Sequence, residues 1–212
     1  MNRFFLTLPV FLILFVMLGA GCSGQSSEPD IIIEDAEPII LDEDQNTSMP
    51  QTKSYAFPGV LSQEEITGKQ IRLTTAKGDI VFELFSDTAP KTVSNFVYLT
   101  QEGFYDGIIF HRREEGFVIQ GGDPNGNGTG GPGYTFEDEF GDSYTYERGM
   151  VAMANRGPNT NGSQFFIMLA DTPLPKAYTI FGRVTEGMEI VDEIEIGDEM
   201  KTVVVEEKEV GE

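Results

Sequence analysis

Residues 110–122 read Phe110-His-Arg-Arg-Glu-Glu-Gly-Phe-Val-Ile-Gln-Gly-Gly122. The stretch contains the chain's only histidine, His111, with the cation Arg112 beside it. Two extended runs on either side of Gly116 make a short hairpin. Side chains alternate along an extended strand, so Phe110 and Arg112 are expected on one side. On the second run Phe117, Ile119 and Gly121 should share one face, and Val118 and Gln120 the other. The glycines at 121 and 122 permit a sharp turn or a close backbone approach. Such a hairpin gathers a guanidinium, an amide and apolar side chains around one surface, which is the composition of a binding site.

The same short-strand grammar extends in both directions. Upstream, Ile71–Thr75 and Ile80–Leu84 flank Ala76-Lys-Gly78 and predict a β-hairpin. Pro90 suits the first turn of a helix, where its missing N–H costs nothing. Val93, Phe96, Val97 and Thr100 follow at helical spacing, and Gly103 is a stop. Strands are expected at Ile108–Arg112 and Phe117–Gln120, and again at Met150–Ala154, Gln164–Met168, Thr179–Val184 and Val203–Glu207. Glu186–Ile194 offers a second helix. Many short strands, two helices and no strand–helix alternation predict a mainly β fold, an antiparallel sheet closed into a barrel.

The N-terminus reads as an export signal. Arg3 precedes an apolar run from Phe4 to Leu18, and Gly19, Ala20 and Gly21 lead to Cys22. The Leu-Gly-Ala-Gly-Cys ending resembles a bacterial lipobox. That implies a signal at 1–21, lipidation of Cys22 and attachment to the outer face of a membrane. The alternative is an uncleaved anchor, for which the segment is just long enough. Residues 22–58 are rich in Ser, Pro, Gln, Asp and Glu and predict an acidic, disordered tether. The folded domain is expected at 59–212.

Composition removes several function classes. A formal charge of -21 makes nucleic acid an unfavourable partner. A single cysteine excludes a disulfide framework and a multi-cysteine zinc site. Gly126-Asn-Gly-Thr-Gly-Gly131 fits G-x-G-x-x-G literally, but Pro132 and Gly133 follow instead of a helix. Asp123-Pro-Asn-Gly-Asn-Gly128 opens like a calcium loop, yet its twelfth position is Tyr134 where a bidentate glutamate belongs. His111 and Ser163 sit in no nucleophile elbow. No metal or cofactor is expected.

What remains is a distributed series. It comprises Phe110-His-Arg112, Gly116-Phe-Val-Ile-Gln-Gly-Gly-Asp123, Asn127-Gly-Thr-Gly-Gly131 and Phe136-Glu-Asp-Glu-Phe140. Met153-Ala-Asn155, Gly157-Pro-Asn-Thr-Asn-Gly-Ser-Gln-Phe-Phe-Ile167 and Phe181-Gly-Arg-Val-Thr-Glu-Gly-Met188 complete it. In this order it resembles the cyclophilin family of peptidyl-prolyl cis–trans isomerases, over about Ile71–Val205. The resemblance implies a closed eight-stranded antiparallel barrel with two capping helices, acting on proline-containing polypeptides; a monomer is expected. It implies that Arg112 is the catalytic arginine and that Phe117, Val118 and Phe166 form the floor of a proline pocket. Gln120, Ala154, Asn155 and Gln164 would line the groove for the substrate backbone, with Leu174 and Tyr178 closing the pocket.

One departure stands out. Arg113, Glu114 and Glu115 occupy a turn where relatives usually carry two apolar residues and often a proline. Two functions are compatible with this sequence. One is an isomerase assisting the folding of exported proteins; the other is a module that binds proline segments with little turnover.

Overall fold

A computed structural model describes residues 53–141 and 143–208. The expected signal, Cys22 and most of the tether lie outside the described residues. Among the described residues no helix is long and apolar enough to cross a membrane. The elements run α1 Gln63–Ile66, β1 Lys69–Thr74, β2 Asp79–Leu84, α2 Pro90–Gln101, β3 Arg112–Glu114 and β4 Val118–Gly121. They continue as β5 Met150–Met153, β6 Phe165–Met168, β7 Ile180–Glu186, α3 Met188–Glu193 and β8 Thr202–Glu207.

All eight strands belong to one antiparallel sheet in the order β3-β4-β6-β5-β7-β2-β1-β8. The sheet curls into a half-barrel that stays open, which corrects the expectation of a closed one. Its edges, β3 and β8, do not pair. Irregular chain ahead of each spans the gap instead. Gly107 N–H donates to the Met200 carbonyl at 2.8 Å and Met200 N–H to Ile108 at 2.9 Å. Phe110 N–H donates to the Asp198 carbonyl at 2.8 Å. With those residues held this way, the expected strand at Ile108–Arg112 begins only at Arg112. Arg113 and Glu114 then fall inside β3, and the turn is confined to residues 115–117. Helices α2 and α3 match the two expected; α1 is an additional single turn.

The first hairpin turns where the sequence expects. Thr75 N–H donates to the Gly78 carbonyl at 2.9 Å, and the Thr75 hydroxyl accepts from Lys77 N–H at 3.0 Å. Helix α2 buries Val93, Phe96, Val97, Leu99 and Thr100 against the inner face of the sheet. Ala89 supplies no side-chain cap at its start. The Glu139 carboxylate does so from a distant loop, accepting from Lys91 N–H at 3.0 Å and Thr92 N–H at 2.9 Å. An acid at this end also suits the helix dipole.

Two apolar clusters lie on opposite faces of the sheet. The main core holds Ile71, Phe82, Phe96, Ile119, Val151, Phe165, Ile167 and Phe181. The second holds Val118, Tyr146, Met150, Ala152, Phe166, Met168 and Ile180. Strands β5 and β6 are thus buried on both faces, which is why Met150–Met153 and Phe165–Met168 are continuously apolar. The packed unit also begins ahead of the expected boundary at 59. Tyr55 meets Phe104 edge-on at 5.1 Å, and Phe57 stacks on Phe136 at 5.1 Å.

Candidate active site

Strand register sets the site. Arg112 pairs with Gln120, Gln120 with Phe166, and Phe166 with Ala152 across β3, β4, β6 and β5. Directly opposed residues on one face of an antiparallel sheet sit about 4.5–5.5 Å apart. The row therefore brings a guanidinium, an amide and a phenyl ring together on the outer face. Alternation along β4 turns Ile119 inward and leaves Val118 and Gln120 outward, as expected.

Two expectations about faces fail. Phe110 is buried in the main core, not beside Arg112, because it precedes β3 and is held by Asp198. Phe117 lies in the turn, off the β4 alternation, and joins Val118 at the site.

Arg112, Phe117, Val118, Gln120, Ala154, Asn155, Phe166, Leu174 and Tyr178 line one cavity of about 170 Å³. Nine of the ten residues assigned to the cleft by resemblance meet there. Gln164 does not; it lines a neighbouring cavity of about 110 Å³ that shares Gln120, Ala154 and Asn155. Tyr178 packs edge-on against Phe166 at 5.4 Å. Its loop is anchored by Tyr146, whose hydroxyl donates to the Tyr178 carbonyl at 2.8 Å and accepts from Tyr178 N–H at 3.0 Å. Asn155 directs its amide to the Ala177 carbonyl at 2.8 Å, so its side chain holds the same loop from the other side.

Arg112 is held from several sides. Nη1 donates to Gln120 Oε1 at 3.0 Å, while Nη2 and Nε both donate to Glu114 Oε1, at 2.6 and 3.1 Å. The guanidinium lies 5.8 Å from the centre of the Phe117 ring. Gln120 donates in turn to Gln164 Oε1 at 3.0 Å, and Gln164 donates to the Gly128 and Gly130 carbonyls at 3.0 and 2.9 Å. A continuous hydrogen-bonded chain thus fixes the arginine against the glycine loop.

Asp123 organises that loop, a role that sequence reasoning missed. Its buried carboxylate accepts from Asn125 N–H at 2.8 Å, from Asn127 N–H at 3.0 Å and from Gly128 N–H. A Cβ at Gly130 would come within 2.0 Å of Asp123 Oδ1, so glycine is required there. These bonds replace the calcium-loop reading. Among the described residues no cluster of three His, Cys, Asp or Glu could hold a metal. Burial alone would raise the Asp123 carboxyl, but the three backbone donors outweigh it and keep it below its ordinary value. Its stabilisation is therefore complete above the unfolded value of about 3.9 and fades as pH falls through the lower folded value. Asp123→Asn is expected to flatten the decline of Tm between about pH 5 and pH 2. Parallel acid limbs for variant and wild type would refute this role.

His111 and Ser163 form no catalytic pair. The Ser163 hydroxyl donates to the Gly122 carbonyl at 2.6 Å. Burial keeps His111 below its ordinary imidazole value; Asp123 opposes this and the Arg112 charge adds to it.

The site is thus a cavity with largely apolar walls, edged by one held arginine, on the outer face of a curled antiparallel sheet. The family model described as cyclophilin type peptidyl-prolyl cis-trans isomerase/CLD matches residues 70–210. The chain belongs to that family and is a peptidyl-prolyl cis–trans isomerase. It is 53% identical over 130 residues to peptidyl-prolyl cis-trans isomerase CYP18-1 of Arabidopsis thaliana, covering 59% of this chain and 81% of that protein. It is 52% identical over 129 residues to peptidyl-prolyl cis-trans isomerase B of Bacillus subtilis, covering 60% and 90%. The crystal structure of a cyclophilin type peptidyl-prolyl cis-trans isomerase of Cryptosporidium parvum superposes with a TM-score of 0.61 at 38% identity, covering 65% of this chain and 97% of that one.

Proposed function

We propose that the Arg112-edged cavity holds the proline of an Xaa-Pro bond and that Arg112 stabilises the twisted amide during rotation. Rotation faces a barrier of about 18–20 kcal/mol because twisting destroys amide resonance. In the twisted state the proline nitrogen regains a basic lone pair. A guanidinium beside it stabilises that state more than the planar one, which is the condition for catalysis. Arginine suits the task because it stays charged and presents a rigid fork of donors. Phe117, Val118, Phe166, Leu174 and Tyr178 take the ring and exclude water. Gln120 positions the arginine, while Ala154 and Asn155 flank the substrate backbone; Gln164 supports Gln120 from the neighbouring cavity. Rotation breaks no σ bond and transfers no proton, so the chemistry calls for no cofactor.

The observation that supports this reading is the cross-strand row Arg112–Gln120–Phe166 beside the apolar cavity. The test is acceleration of cis-to-trans conversion in a short Xaa-Pro peptide by the purified chain. Peptide binding without acceleration would support the binding-module alternative.

We further propose that the protein is exported, lipidated at Cys22 and acts as a monomer on exported polypeptides. Arg3, the apolar run to Leu18 and the small residues before Cys22 support export and lipidation. A Cys22→Ser form is expected in the soluble fraction after cell fractionation. Membrane retention of that form would favour the uncleaved anchor.

A further inference from the structure

We propose that Glu114 is a specificity-determining residue that makes the site favour a cationic side chain near the substrate proline. This rests on the reading of the Arg112 cavity as the proline site. Glu114 lies two residues after Arg112 in the edge strand β3, so both project from one face. It pairs across the ladder with Val118, which lines the cavity. Its side chain is 51% exposed and stands at the rim.

The charges around it give this rim its sign. Among the described residues, Arg112 is the only charged one lining the cavity. Both of its bonds on that side go to the single oxygen Glu114 Oε1. A carboxylate offers about four lone-pair sites on two oxygens, so Oε2 keeps capacity for a donor from outside. Glu115 is exposed in the turn that follows. The cation that could offset these acids, Arg113, points to the opposite face and donates to the Ile194 carbonyl at 2.7 Å. Beside the guanidinium, Glu114 therefore keeps one carboxylate oxygen free of Arg112, with the exposed Glu115 one residue further on. A lysine or arginine next to the bound proline segment meets attraction there, and a glutamate meets repulsion.

The effect is that of a partly exposed pair and is sensitive to salt. Two peptides with a central Ala-Pro, one flanked by lysines and one by glutamates, test it on the full chain. Exchange NMR gives kcat/KM, and chemical-shift titration gives Kd. Wild type is expected to favour the lysine peptide about fivefold at low salt. E114Q should bring the ratio close to one, as should about 1 M salt, where the screening length is about 3 Å. E114D, which keeps the charge, should retain most of the preference. A ratio that E114Q leaves unchanged, or wild type that treats the peptides alike, overturns the proposal. Loss of turnover with the binding preference intact would instead overturn the isomerase role of the cavity and leave this one standing.

Discussion

Arg112→Ala is expected to lower kcat/KM for an Xaa-Pro peptide by about 10²–10³, the usual cost of losing one transition-state donor. Stability should hardly change. Arg112 is 41% exposed, and its carboxylate partner Glu114 is 51% exposed, so neither is left buried and unpaired. An exposed pair of this kind contributes about 0.2–1 kcal/mol. The drop should fall mainly on kcat, because the apolar wall still takes the proline ring. Arg112→Lys keeps the charge but loses the fork that spans Gln120 and Glu114, so it should recover only part of the rate. Near wild-type activity in a folded Arg112→Ala protein would remove Arg112 from the mechanism.

Phe96→Ala is expected to behave in the opposite way, destabilising the domain by about 3–5 kcal/mol while leaving the activity of each folded molecule intact. Phe96 is fully buried. Its ring meets Tyr105 at 4.6 Å, Phe181 at 5.2 Å, Phe165 at 5.3 Å and Phe82 at 5.6 Å. It joins α2 to three strands, so truncation opens a void that no single neighbour can fill. Domains of this size are stable by about 5–15 kcal/mol, so much of the reserve would vanish. Urea denaturation at fixed pH measures the shift. A change below about 1 kcal/mol would mean that the aromatic cluster repacks around the gap.

The elements most legible in the sequence are those whose signals are local. The hairpin around Gly78, the helix after Pro90 and the β4 alternation needed only neighbouring residues. The row Arg112–Gln120–Phe166 was reachable because motif order carried it, although no spacing rule relates 112 to 166. What escaped depends on partners distant in sequence. Phe110 was placed beside Arg112 because nothing local reveals that Asp198 captures its backbone. The open edge was hidden for the same reason, since the chain near 107–110 is satisfied by 198–200. Asp123 read as half a metal site because an acid among glycines has the same composition whether it accepts from an ion or from backbone N–H groups. Gln164 lines the neighbouring cavity together with Gln120, Ala154 and Asn155, the residues it was grouped with, but only the structure shows that its amide turns to the glycine-loop carbonyls.

Helix α2 takes its N-terminal cap from Glu139, 47 residues beyond the Thr92 whose N–H it receives. A chain synthesised from its N-terminus therefore produces the helix well before the group that completes it. Until residue 139 docks, the free N–H groups at 91 and 92 are left to water, and an isolated twelve-residue helix is marginal there. Stable α2 and a docked 137–139 loop should thus form together, late, and over a long sequence separation. An enzyme that speeds a slow step in the folding of other chains carries in its own first long helix a reason to fold only once most of it has been made.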